Sequence, residues 1–584
     1  MSIFLLALVQ AAGVSAWDTG KPGAAREKWV AIPRDQGASS FSGDAAASNG
    51  RVLLIVRRDG TGAEVRTPDG TRRALLSAVT APSTLDRLGL IENTRAGVVF
   101  EAVWRSAAGT MSLKFRLKRG EASVEVEPGA GAKRLRVECA SRLLVLSDFF
   151  ADDIVIDAAR IPGPMAEIPS ENFLLQPSGP GDALVMTVFE NREQDVRLAL
   201  SGEGVDRRIA ASEIEFGASK KVWVAVLSEP RIWHSVEVRA EDANKVIPLD
   251  WTMPFPASWR VELMRPNGLT DSWDMLLQNR KGEEYVKPAW FGGPAEKVND
   301  ATRRRFTEVL GFFPYPAWSD PERRGYLQPM ELKTRTQFVP VLSYRGPAIL
   351  YPLSRVPETP ADRFTVVDVA RACLGVGPCD YILDVEGQKQ EYKGVATCNA
   401  RDLIEDIYKK GQQKARRAEI LKALDDTLAF VTHIRARITV YVEFGRKLRE
   451  YFASQKKAHP ELVATIDELD RVAQEMEARF EERAERIQSP AYVARLNDEF
   501  RKDALEAEGA DAPPKAKAYG EALTRVGGNQ DKLVSECRWV ARTLRQQAAL
   551  LLAGEPRLGL VAAEVRSRTQ VVLKNPSQHE RARQ

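Results

Sequence analysis

The sequence predicts a multi-domain chain that is β-rich first and helical last: an antiparallel β-sandwich, a second β-rich aromatic module, and a C-terminal antiparallel helical hairpin or bundle. Three observations carry this. Short alternating apolar runs separated by glycine turns fill residues 51–250, aromatics and prolines crowd 251–398, and a continuous helical period of apolar residues runs through 399–575. At 584 residues the chain is also too long for one compact core.

The sandwich is read from its rhythm. Alternating runs at 52–56, 98–104, 111–117, 122–126 and 134–137 are separated by Asp59-Gly60, Asp69-Gly70, Ala108-Gly109, Arg119-Gly120 and Pro128-Gly129. In SLKFRLKRGEASVEVEPG, Leu113, Phe115 and Leu117 fall on one side and Lys114, Arg116 and Lys118 on the other, the pattern of a half-buried hairpin. The rhythm resumes at 183–189, 196–200, 221–227 and 235–239, after a Pro-rich linker at 161–170. Residues 17–50 are polar and rich in Gly, Ala and Ser, and read as a flexible lead-in.

The helical part is read from spacing. Leu421, Leu424, Leu428, Val431, Ile434, Ile438, Tyr441, Gly445, Leu448 and Phe452 recur in steps of three and four. His459-Pro460 breaks that helix, and a second seam follows at Leu462, Ile466, Leu469, Ala473, Met476, Phe480, Ala484 and Ile487. A short break between two seams makes them antiparallel neighbours, although an exposed coiled-coil seam would instead drive self-association. Ser489-Pro490 starts a third helix, and Gly527-Gly528-Asn529 is read as a separator between two more. Residues 576–584 are a polar tail.

Residues 1–16, MSIFLLALVQAAGVSA, have the apolar run and small-residue end of a cleaved signal peptide. The same run also reads as a buried N-terminal helix, since no Lys or Arg precedes it. Export implies a periplasmic or extracellular protein that is not transmembrane after signal cleavage. The 84 basic and 80 acidic residues nearly balance, so nucleic acid is not an expected partner.

No catalytic signature decides whether the chain is an enzyme. It contains no GxSxG, HExxH or phosphate-binding loop. The weak catalytic candidates are Asp384 and Glu386, spaced as same-face carboxylates on a strand, Tyr326 with Arg324 as a lyase-like pair, and His234. Trp259, Arg260, Asp271, Trp273 and Asp274, brought near one another by the Pro266-Asn267-Gly268 turn, combine flat rings with a guanidinium and acids, as a glycan-binding surface needs. Tyr315 and Trp318 add aromatics on a proline-stiffened loop. The same residues also read as packing between domains, with Arg260 paired to Asp271 or Asp274. Cys373 and Cys379 are close enough in sequence for a disulfide, whereas C-x5-C-x18-C lacks metal-ligand spacing. No metal or other cofactor is expected.

The N-terminal pattern ending in LRVECASRLLVLSDFFADDIVID resembles the β-sandwich domains of the galactose-mutarotase-like kind found in carbohydrate-active proteins. The resemblance covers about a third of the chain and implies a scaffold only: residues 17–232 contain no histidine to match the family's catalytic ones. The whole chain also resembles uncharacterised exported bacterial proteins. These readings lead to an exported protein that binds a glycan or cell-envelope component. A polysaccharide-degrading enzyme (lyase or glycoside hydrolase) and an assembly protein working through its helices are the alternatives.

Overall fold

A computed structural model describes residues 13–574 apart from 39, 79–82, 108, 147–152, 162, 169–172, 191–195, 218–219, 265, 267–269, 279–282, 287–295, 298, 300–315, 330–342, 357, 375–395, 504, 506–511 and 555. The described residues through 374, apart from residue 299, form one compact unit, and those from 396 onward form a second.

Two large antiparallel sheets make the sandwich. The first has ten strands in the order Met165–Ile168, Val196–Ser201, Arg208–Glu215, Arg134–Ser141, Arg72–Ala78, Ala63–Arg66, Leu53–Val56, Ala45–Ser48, Ser15–Asp18 and Val30–Ile32. The second has nine, in the order Ile154–Asp157, Leu143–Leu146, Phe173–Ser178, Ala183–Phe189, Val222–Ser228, Ser123–Pro128, Gly109–Lys118, Gly97–Ser106 and Ser83–Asn93. The predicted hairpin forms as its alternation requires: Leu117 pairs with Val124 and Phe115 with Val126, all four fully enclosed. Burying each such side chain contributes about 1.5–3 kcal/mol. Gln176 crosses between the sheets, its Nε2 donating to the Cys139 carbonyl at 3.0 Å.

A third sheet holds His234–Val238, Gly346–Ser354, Ser258–Met264 and Thr270–Asp274 in that order. It packs on the outer face of the second sheet, with helix α1 (Val366–Leu374) beside it. Leu184, Met186 and Val188 of the second sheet share a core with Met264, Ile349, Tyr351, Val366 and Val369. That arrangement explains why Ala183–Phe189 is buried on both faces. A fourth sheet runs Ile247–Thr252, Arg324–Leu327, Ala317–Ser319, Leu276–Gln278, Glu284–Val286 and Glu296–Lys297.

Three boundaries differ from the sequence reading. Residues 17–50 are not a loose lead-in but supply strands to the first sheet, because their polar side chains staple loops. The Asp18 carboxylate accepts backbone N–H groups from Gly20, Ser42 and Gly43 at 2.8, 2.7 and 2.9 Å, and Asp44 accepts from Gly23 at 3.0 Å and from Arg57 at 2.6 Å. Residue 250 separates no units, since the aromatic module shares its core with the sandwich. Strand Met165–Ile168 lies inside the expected 161–170 linker. In addition, the strand Ser15–Asp18 starts before the expected cleavage point, so a cut between Ala16 and Trp17 would divide it.

The second unit is helical: α2 (Ala396–Lys409), α3 (Arg417–Ala458), α4 (Val463–Arg486), α5 (Pro490–Asp503), α6 (Ala512–Gly554) and α7 (Gly559–Lys574). Helices α3 and α4 form the predicted antiparallel hairpin, with Ile434, Ile438, Tyr441, Leu448 and Phe452 against Ile466, Leu469, Met476 and Phe480 in one core. Gly445 permits the close approach, since a Cβ there would meet Glu477 Cα at 3.3 Å. The break expected at Gly527-Gly528-Asn529 is absent, and α6 runs straight through it. The two glycines cost about 1 kcal/mol each, but Val526, Gly527, Gln530 and Leu533 all lie on its buried side and hold the helix. Among the described residues no helix is long and apolar enough to cross a membrane.

Candidate functional site

Strand alternation separates the five residues that the sequence groups as a ligand surface. Consecutive side chains on Ser258–Met264 point to opposite faces. Arg260 pairs in register with Asp274 and Tyr351, and Glu262 with Ser272, so these five share a face directed at the sandwich. Trp259 lies on the other face with Asp271 and Trp273.

Neither Trp259 nor Arg260 meets solvent, at 0% and 1% exposure. Trp259 packs edge-on to Trp251 with centroids 4.8 Å apart and tilts against Phe255 at 5.8 Å. Arg260 Nε donates to Asp274 Oδ1 at 3.1 Å, the domain-packing pair that the sequence also allowed. In this conformation neither side chain offers a surface to a sugar. Asp271 is buried, and half-buried Trp273 donates its indole N–H to Tyr344 Oη at 3.3 Å.

Beside Arg260 lies a polar chain, buried except at half-buried Ser272, that sequence reasoning missed. Tyr351 Oη is 2.6 Å from Asp153 Oδ2 and 2.7 Å from Glu262 Oε1. Ser272 Oγ accepts the Asp153 backbone N–H at 2.6 Å and hydrogen-bonds Glu262 Oε2. Burial, then the nearby Asp153 charge, pushes the Glu262 carboxyl well above its usual range, against opposing pulls from Arg260, Ser272 and Tyr351. Glu262 and Tyr351 have no exposed surface for a substrate, so the chain joins the sandwich to the third sheet rather than opening to solvent. The available signal was a charged i, i+2 pair, Arg260 and Glu262, inside an otherwise apolar strand.

The accessible chemistry sits on the hairpin of Ala317–Ser319 and Arg324–Leu327. Trp318 pairs with Tyr326 across the two strands, their rings 5.8 Å apart and within 10° of parallel. Both are half-buried, whereas Ala317, Ser319, Gly325 and Leu327, on the alternate positions, are buried. At the turn, Asp320 Oδ2 accepts from Arg324 Nε at 2.6 Å and from Tyr326 Oη at 3.0 Å, and Oδ1 accepts the Arg324 backbone N–H at 2.9 Å. Burial works to raise the Asp320 carboxyl, but these hydrogen bonds outweigh it and hold it below the usual range. The hydrogen bond to Asp320 raises the Tyr326 phenol, which leaves less of it as the phenolate that would accept a proton in a lyase step.

His234 is partly buried, stacked on Trp251 at 6.4 Å, and burial lowers its pKa although Asp250 opposes this. Asp384, Glu386, Tyr315 and Cys379 lie outside the described residues. Cys373 is a free thiol 3.9 Å from Ser123 Oγ, and burial pushes its pKa up to about 12. Among the described residues no group of His, Cys, Asp and Glu is placed to hold a metal ion. Comparison with protein-family models gives no match, and comparison with curated proteins gives none either.

Proposed function

We propose that this is an exported glycan- or cell-envelope-binding protein and that the Trp318–Tyr326 face of the hairpin holds the saccharide. The observation that carries the proposal is the near-parallel pair of half-exposed rings, 10° apart in plane, on a rigid two-stranded base. Flat rings with polar edges suit the apolar face of a pyranose and the hydroxyls around it. Asp320 fixes the tilt of Tyr326 and positions Arg324, whose side chain is 60% exposed. The apolar run at residues 1–16 supports export, and the near-balance of charge supports a ligand other than nucleic acid.

The test is native electrophoresis of the protein through gels loaded with individual polysaccharides, followed by a glycan stain. Retardation without a cleared zone is the expected result and identifies the ligand class. A cleared zone would replace binding with degradation, and free migration through every gel would remove the proposal for the glycans tested.

A further inference from the structure

Tyr351 carries one hydroxyl proton, yet its oxygen lies 2.6 Å from one carboxylate oxygen, Asp153 Oδ2, and 2.7 Å from another, Glu262 Oε1. Both contacts are hydrogen bonds only when one of the carboxyl groups brings a proton of its own. With both ionised, one short oxygen–oxygen contact would have no hydrogen in it, and two negative charges would face each other on buried side chains.

The same chain ties the outermost strand of the second sheet to the third sheet. The Asp153 backbone N–H donates to Ser272 Oγ at 2.6 Å, and the Val155 N–H donates to Thr270 Oγ1 at 3.0 Å. Side-chain hydroxyls of one strand therefore hold the backbone of the other, and Ser272 is itself held by Glu262.

We propose that Asp153, Tyr351 and Glu262 form a one-proton latch between the sandwich edge and the third sheet, closed while the carboxyl pair holds one proton and released when that proton leaves. In the closed state the Glu262 carboxyl donates to Tyr351 Oη, and Tyr351 donates to Asp153 Oδ2. Among the described residues, Asp153 from the sandwich, Arg260 from its own strand and Tyr351 from the adjacent strand face Glu262, with Asp274 ion-paired to that Arg260. Of the other described carboxylates on the packed elements, Asp271 lies on the opposite face of its strand, Glu237 is 3.6 Å from Arg142, and Asp157 and Asp368 are engaged by Arg142 and Arg355 at 2.9 Å each.

The direction of linkage follows from Glu262, whose folded pKa lies above its ordinary 4.5. A raised carboxyl stabilises the fold fully below the ordinary value, and that contribution is lost as pH rises through the folded value. The latch is thus strongest in acid and releases toward alkaline pH.

Two measurements test it. Infrared spectra of the full chain, recorded as pH is raised from 4.5, should show the carbonyl stretch of a protonated carboxylic acid persisting above the ordinary carboxyl range, and Glu262→Gln should lack it. Urea unfolding across pH should show wild-type stability of the β unit falling as pH rises above 4.5. Glu262→Gln keeps a donor without a titrating proton and should flatten that fall, and Asp153→Asn, which removes only the neighbouring charge, should make it shallower. His234→Gln, on the opposite face, removes a histidine whose lowered pKa adds stability as pH rises, so it should leave the fall in place or steepen it. A wild-type spectrum without the protonated band would overturn the proposal. So would unchanged pH dependence in both carboxyl variants.

Discussion

Gly325 lies against the ring of Trp251: a Cβ at residue 325 would stand 2.8 Å from Trp251 Cε3. This contact sorts the aromatic residues of the module into two roles. Trp251 and Trp259 are interior braces beneath the hairpin, whereas Trp318 and Tyr326, on the alternate positions of the same hairpin, face outward.

Gly325→Ala should therefore act through collision rather than backbone strain. Overpacking of this kind costs about 1–3 kcal/mol, and it should lower the melting temperature of the β unit and weaken glycan retention together. A thermal melt indistinguishable from wild type would show that the hairpin is not braced by Trp251.

Asp320 sets the protonation of the outward face. Asp320→Asn weakens the hydrogen bond and removes the charge that raise Tyr326, so the phenol should ionise at lower pH than in wild type. Tyrosine-labelled NMR titration reads this directly, and an unmoved titration would mean that Asp320 does not engage Tyr326 in solution.

Glu125 predicts acid sensitivity of the sandwich. Burial pushes its carboxyl up, but hydrogen bonds from Lys118 and Lys221 at 2.9 and 3.0 Å prevail and hold its pKa at about 2. A depressed carboxylate stabilises the fold above its ordinary value of 4.5, and the contribution is lost as pH falls toward 2. Glu125→Gln should cost about 1–2 kcal/mol at pH 7, discounted for the half-exposed lysines. In urea unfolding at stepped pH, that gap should close between 4.5 and 2; a gap of constant size would contradict the ion-pair account.

Val14 and Ala16 are buried, and Ser15–Asp18 pairs with Ala45–Ser48. If the apolar N-terminus is an export signal, the mature chain should begin at or before Ser15 so that the strand survives intact. Mass spectrometry of the exported protein reads its first residue. A start at Trp17 would mean that this strand forms differently in the mature protein.

How much was legible depended on what each strand faces. Gly109–Lys118 alternates because one face meets the core and the other meets solvent, so its register could be read from Leu113, Phe115 and Leu117. Ser258–Met264 is enclosed on both faces, and its Arg260 and Glu262 look like surface residues until the opposing Asp274, Asp153 and Tyr351 are in place. Those partners lie up to 109 residues away in sequence, and no local pattern joins them. Asp18 and Asp44 misled in the same way, since a polar loop residue and a loop staple have the same composition. The helical hairpin was legible because its seam and its break at His459-Pro460 are both local. Gly527-Gly528 failed because tertiary burial overrode a local helix-breaking signal.

The most direct measurement is the retention of Trp318→Ala in the polysaccharide gel that retards the wild-type protein, with Trp273→Ala run beside it. An aromatic contact of this kind is worth about 0.5–1.5 kcal/mol beyond its buried area. Trp318→Ala should migrate several-fold to roughly tenfold less retarded while keeping its thermal melt, and Trp273→Ala should stay close to wild type. Full retention by a folded Trp318→Ala would contradict the assignment of the hairpin face as the binding site.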